Sequence, residues 1–177
     1  NIVITGVTKG IGLELAKTFL EKGDRAFGIA RSTEMPEEFK GNKNFTYWSL
    51  HVDSPKAMEQ FFANSKIKFE LIINCAGVLK LKTLDSTSIE DWRDTMRVNT
   101  SGSFYVAKYG TSHFLKQNKK GMMIFIGSRW GTSGSTKAPA YAASKSALRA
   151  LVKSFQQEGI TIGMRYILIS PGSVLTE

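Results

Sequence analysis

Short apolar runs alternate along the chain with longer segments in which apolar residues recur every three or four positions. Runs of the first kind suit strands buried on both faces, and the longer segments suit helices that cover them. Their alternation predicts βα units around a parallel sheet. "NIVIT" (residues 1–5) reads as the first strand, and the following helix carries Ile11, Leu15 and Phe19 on one face with Gly23 as its stop. "RAFGIA" (25–30) is the second strand. "FTYWSLHVD" (45–53) is the third, meeting Ser54 as an N-cap and Pro55 at the first helical position. "FELIINCAG" (69–77) is the fourth. A helical region then begins near Thr87, where Thr87 and Glu90 have capping-box spacing, and runs with interruptions through "FYVAKYGTSHFL". "MMIFIGS" (122–128) is the fifth strand, Tyr141 to Glu158 a long helix, and "MRYILIS" (164–170) the sixth strand. Six strands with crossover helices predict an α/β fold built on an open, doubly wound parallel sheet. Ligands of such sheets bind beyond the carboxyl ends of the strands.

Composition narrows the picture. With 177 residues and 42% hydrophobic content, residues 1–177 are expected to form a single domain. No apolar run approaches the roughly 18 residues of a membrane span. The first residues read as a buried strand rather than a signal segment, so a soluble, cytoplasmic protein is expected. The single cysteine, Cys75, cannot form an intramolecular disulfide, and His51 and His113 lack ligating neighbours at metal spacing. A reducing compartment and no metal site follow as expectations. The formal charge of +9 would suit nucleic acid, an anionic membrane or an acidic small molecule. The cations are scattered, however, and the one cluster, "KQNKK" (116–120), falls where a helix should end and cations answer the helix dipole. Neither nucleic acid nor membrane is expected as a partner.

The chemistry-bearing residues stand at the strand ends. "TGVTKGIG" (Thr5 to Gly12) follows the first strand with glycines at 6, 10 and 12. Gly6 permits a sharp turn, while Gly10 and Gly12 let backbone and helix approach a pyrophosphate at the helix N-terminus. After the second strand, where a carboxylate would bind adenosine ribose hydroxyls, stand Arg31 and Ser32. An arginine there, with Lys9 in the glycine loop, favours a 2′-phosphate and so NADP(H), with NAD(H) as the alternative. Tyr141 and Lys145 are four residues apart at the start of the long helix, which puts an ammonium beside a phenol and favours the phenol's ionised form.

The ordered set "TGVTKGIG", Asp53, "NCAG", Asn99 in "RVNTSG", Ser128 in "IGSRWG", "YAASK" and "PGSVLT" is similar to the short-chain dehydrogenases/reductases, over nearly the whole chain. That resemblance implies a Rossmann fold and hydride transfer between a nicotinamide cofactor and a carbonyl or alcohol. It implies Tyr141 as proton donor and acceptor, with Lys145 lowering the phenol's pKa and bonding the nicotinamide ribose. Ser128 would hold the substrate oxygen, and Asn99 would position a water on the proton path to Lys145. It assigns Thr5, Gly6, Lys9, Gly10, Ile11 and Gly12 to the cofactor loop and Asp53 to the adenine amino group. Asn74, Ala76 and Gly77 fall to the cofactor-side wall, and Pro171, Gly172 and Thr176 to the nicotinamide end. Cys75 reads as a small buried residue rather than a reactive thiol, Trp48 and Trp92 as packing, and Trp130 as a wall of the substrate cleft.

Family members ordinarily continue past a segment like "PGSVLTE" into a substrate-covering loop and a seventh strand, so the chain reads as part of a longer protein, with a shortened member carrying an incomplete substrate pocket as the alternative. A homodimer through the helices near 100–118 and 141–158 is expected from the same resemblance. The expected activity is an NADPH-dependent carbonyl reductase, acting on a small carbonyl or on an acyl thioester carried by an acidic protein. The alternative is a non-catalytic nucleotide-binding or regulatory protein on the same fold.

Overall fold

The computed structural model describes residues 1–118 and 120–174. Six strands, β1 (Ile2–Thr5), β2 (Ala26–Ala30), β3 (Phe45–Ser49), β4 (Leu71–Asn74), β5 (Met122–Ile126) and β6 (Arg165–Ile169), form one parallel sheet in the order β3-β2-β1-β4-β5-β6. The helices are α1 (Gly10–Glu21), α2 (Pro55–Asn64), α3 (Ile89–Met96), α4 (Ser103–Lys116), the short α5 (Trp130–Ser133) and α6 (Pro139–Ile162). The order runs outward from β1 in both directions, so the connections leaving β1 and β4 diverge and open a crevice at their carboxyl ends.

Alternation along each strand separates two cores. Val3, Phe27, Ile29, Ile72, Met123 and Phe125 pack on one face with Phe62 of α2, Phe114 of α4 and Leu148 of α6. Ile2, Ile4, Ala26, Ala30 and Ile73 pack on the other with Leu13 and Ala16 of α1. With both faces covered, these strands read as continuous apolar runs.

The strands are shorter than the apolar runs suggested, because the chain leaves the ladder at the carboxyl ends to form the crevice. Ser54 caps α2 by accepting from the Ala57 amide, with Pro55 in the first turn. Gly23 follows α1 with φ +84°, a left-handed stop. The cap of α3 is displaced by one residue from the Thr87–Glu90 expectation. Ser88 and Asp91 exchange the two reciprocal bonds, while the Thr87 hydroxyl donates back to the Thr83 carbonyl. A π-helical turn, Arg97–Gly102, joins α3 to α4 and accounts for the interruption read in the sequence. Among the described residues no helix is long and apolar enough to cross a membrane.

Candidate active site

At the β1 end of the crevice, shape is set by backbone. Gly6 has φ +76° and lies against the Ala76 backbone, and a Cβ on Gly12 would stand 2.2 Å from the Gly6 carbonyl oxygen. α1 therefore starts directly behind the turn. It has no side-chain cap and no acid in its first turn, so its leading amides are not engaged by a cap side chain. They face a cavity of about 770 Å³ that runs along the sheet's carboxyl edge. Gly6, Gly10, Ile11 and Gly12 line it, as do Lys9 and Arg31. Both cations are exposed, and neither makes an ion pair with the described residues. Ser32 is turned into its own loop, where its hydroxyl oxygen accepts from the Glu34 amide.

Asp53 also borders the cavity, with its side chain only 6% exposed. It pairs with Arg97, which also holds Asp94 at 2.8 Å, and His51 lies 3.6 Å from its other oxygen. Sequence reasoning gave Asp53 no protein partner; Arg97 comes from the distant π-turn, and only the fold brings the two together.

At the other end, α6 starts at Pro139 and places Tyr141 and Lys145 on one face a turn apart. Both border the same cavity as Ser128, Ala76 and Gly77. Lys145 is 5% exposed, and its ammonium donates to the Ile126 carbonyl at 2.6 Å and lies 5.6 Å from the centre of the Tyr141 ring. Burial lowers its pKa to about 8. Burial also pushes the Tyr141 phenol above its ordinary value, against the hydrogen bond from Ser128 that favours its ionised form. The expected lowering of the phenol's pKa by Lys145 is thus not seen in this arrangement, because the ammonium faces the ring and a carbonyl and desolvation dominates. Cys75, which also borders the cavity, is pushed up to about 11 by burial, so it stays a thiol near neutrality.

A chain of buried hydrogen bonds ties the two ends. The Thr5 hydroxyl accepts from the Cys75 and Ala76 amides (3.1 and 3.0 Å) and donates to Asn74 Oδ1 at 3.0 Å. Asn74 Nδ2 donates to Ser103 Oγ (2.6 Å), whose hydroxyl donates to the Asn99 carbonyl (2.7 Å). The Asn99 side chain accepts from the Val78 amide and donates to the Val78 carbonyl and to Ser144 Oγ. Ser144 in turn donates to the Tyr141 carbonyl at 2.7 Å. Thr5, Asn74 and Asn99 are therefore placed behind the cavity wall, with their side chains bonded inside the protein. Ser103 and Ser144 were missed by sequence reasoning. Ser144 stands beside Lys145 within "YAASK", and Ser103 is one turn beyond Asn99, which is the only signal the sequence holds for either.

Pro171 and Gly172 line the cavity near Ser128, and the Pro171 carbonyl accepts from the Arg129 amide. Thr176 lies outside the described residues. Trp130 stands edge-on to Tyr141, ring centres 6.0 Å apart at 87°. Trp48 packs between Phe27 and Phe61 as expected, whereas Trp92 is 43% exposed, because it lies on the solvent side of a helix only eight residues long.

Comparison with known proteins places this geometry. A family model described as short chain dehydrogenase matches residues 1–177. The 2-dehydro-3-deoxy-D-gluconate 5-dehydrogenase of Bacillus subtilis is 29% identical over 98% of this chain and 70% of that protein. The NADPH-dependent pterin aldehyde reductase of Arabidopsis thaliana is 29% identical over 100% of this chain and 76% of that protein. Among solved structures, 4-hydroxyisoleucine dehydrogenase complexed with NADH and succinate superposes with a TM-score of 0.85 at 25% identity, covering 97% of this chain and 79% of that one. The family model matches along the whole chain: this chain belongs to the short-chain dehydrogenase/reductase family.

Proposed function

We propose that residues 1–177 act as one dinucleotide-binding and catalytic unit, an NADP(H)-dependent oxidoreductase that interconverts a carbonyl and an alcohol. The observation that carries this reading is a single cavity bordered at one end by a glycine turn with two cations that make no ion pair among the described residues, and at the other by Ser128, Tyr141 and Lys145. The cavity's size is within the roughly 300–1,000 Å³ typical of small-molecule sites. The residues present fit a nicotinamide dinucleotide. The leading amides of α1 suit a pyrophosphate, and any side chain at Gly12 would close the approach. Lys9 and Arg31 supply the charge for a 2′-phosphate, and Lys145 and Gly77 border the nicotinamide end.

The bound cofactor supplies the hydride chemistry; the chain's own residues handle oxygen and proton. Ser128 and Tyr141 converge on the position of the substrate oxygen, where charge builds as the carbonyl carbon is reduced. Tyr141 holds its proton in the unliganded protein because burial disfavours the phenolate, which leaves it a donor in the reducing direction. Lys145, with its pKa near 8, exchanges protons in the neutral range and so can reprotonate the phenol after each turnover. Asn99 fixes the Val78 loop and, through Ser144, the first turn of α6.

The relatives' names include one dehydrogenase of a sugar acid and one aldehyde reductase, which supports a carbonyl or alcohol substrate. Pairing of two copies through α4 and α6 belongs to the same proposal, since Phe104 is 40% exposed there, beside Phe155. A monomeric mass in solution scattering would remove that part. The test of function is titration with NADPH and NADH by nicotinamide fluorescence, followed by loss of NADPH absorbance with a panel of ketones, diketones and aldehydes. Tyr141→Phe is expected to lower turnover at least about 10³-fold while NADPH affinity stays within about twofold. Equal loss of both would end the assignment of Tyr141 as the acid.

A further inference from the structure

The cation that faces a 2′-phosphate is only as useful as the backbone that aims it. Arg31 immediately follows β2 and opens a loop, residues 31–36, that has no ladder to hold it. Two hydrogen bonds shape the start of this loop. One is local, from the Glu34 amide to Ser32 Oγ. The other crosses from the neighbouring strand: the Tyr47 hydroxyl of β3 donates to the Ser32 carbonyl at 2.7 Å. Tyr47 pairs with Gly28 in the β2–β3 register, and its ring packs against the core on the α1 face. The phenol is thus anchored at its base and reaches along β2 to the first free turn beyond it. Burial keeps it protonated, hence a donor, well above neutral pH.

We infer that Tyr47 is a positioning residue for dinucleotide selectivity, which holds the Arg31–Ser32 turn so that Arg31 meets the 2′-phosphate. This rests on the proposed NADP(H) reading and adds to it a residue outside the cavity wall. Tyr47 touches no part of the cavity itself, so its effect should appear only in ligands that carry the phosphate.

The experiment compares wild type, Tyr47→Phe, Arg31→Ala and the double variant. Dissociation constants are measured for NADPH and NADH by fluorescence, and for adenosine 2′,5′-bisphosphate and AMP by calorimetry. Phenylalanine keeps the ring in its packed place, and thermal unfolding checks that the fold is retained. Tyr47→Phe is expected to weaken NADPH and adenosine 2′,5′-bisphosphate about fivefold, the ordinary net effect of one hydrogen bond, with NADH and AMP unchanged. In the Arg31→Ala background the Tyr47 change should add nothing, because the group it positions is gone. Equal weakening of all four ligands, no change in any, or full additivity with Arg31→Ala would each overturn the inference. A wild type without preference for NADPH would overturn both this inference and the NADP(H) reading. A clear wild-type preference that is unchanged in Tyr47→Phe would overturn this inference alone.

Discussion

The two ends of the cavity are built by opposite means. At the glycine turn, shape comes from what is missing: no Cβ at Gly6 or Gly12, no side-chain cap on α1, and two cations without ion-pair partners among the described residues. Around Tyr141 every buried polar group named above has a partner, from Thr5 through Asn74, Ser103, Asn99 and Ser144 to the Tyr141 carbonyl. The first end leaves donors open for a ligand and fixes itself by close backbone contact. The second holds its polar groups by hydrogen-bonding those named to one another, since an unpaired polar group in low dielectric is costly. A substitution should therefore act through volume at one end and through lost hydrogen bonds at the other.

The strongest test of that contrast is Gly12→Ala. Its methyl would stand 2.2 Å from a backbone oxygen, so α1 must shift. NADPH affinity is expected to fall at least about 100-fold, roughly 3 kcal/mol, which fluorescence titration reads. An alanine tolerated with unchanged affinity would break the argument that close backbone approach sets this end.

Ser103→Ala probes the other end. It leaves Asn74 Nδ2 and the Asn99 carbonyl each short of a bond in a buried site, so unfolding free energy should drop by about 2 kcal/mol. NADPH affinity should change little. Urea denaturation measures the first and titration the second, and a neutral result in urea would mean that the network is decorative.

Lys145 offers a pH test of similar or smaller size. Its folded pKa, about 8, is below its ordinary 10.5. Between these values the unfolded chain binds more protons than the folded one, so this group makes stability rise with pH across that window. Its penalty is complete below about 8 and gone above 10.5. Lys145→Met should flatten the rise between pH 7.5 and 9.5 by about 2 kcal/mol, seen in denaturant unfolding at the two pH values. Parallel profiles for both proteins would show that the ammonium is not held in low dielectric.

Arg31→Asp is the mildest change, on an exposed side chain. It is expected to shift the preference between NADPH and NADH by about tenfold toward NADH in paired titrations. An unchanged ratio would remove Arg31 from the account and leave Lys9 as the cation of this end.

Much of this was legible from sequence because strand order and glycine turns depend on local pattern. The alternation of buried faces, the Ser54 cap and the positions of Gly6, Gly12, Ser128, Tyr141 and Lys145 at strand or helix ends could all be read from short stretches. What sequence left hidden are contacts made by tertiary proximity. Nothing near Asp53 foretells Arg97, and nothing near Asn74 foretells Ser103, 29 positions away. The Thr87 cap reading failed for a smaller reason. "STS" offers three hydroxyls in a row, and the choice of Ser88 followed from Asp91, whose carboxylate is also held by Lys80 and Lys82. The sign of the Tyr141 shift depends on burial, which periodicity does not quantify.

The edge-on contact between Trp130 and Tyr141 gives the molecule an internal light source beside the residue proposed as the acid. Indole emission responds to the polarity and quenching groups around it. On the proposed function, a substrate oxygen or a nicotinamide arriving at Tyr141 is expected to alter the signal of a residue that need not take part in the reaction. Trp48 is half-buried, packs against Phe27 and Phe61 and does not line the cavity beside Tyr141, and Trp92 faces solvent, so in a Trp92→Phe background a ligand-dependent change at Tyr141 is expected to be reported chiefly by Trp130. Candidate substrates could then be ranked by spectrum alone, before any of them is seen to turn over.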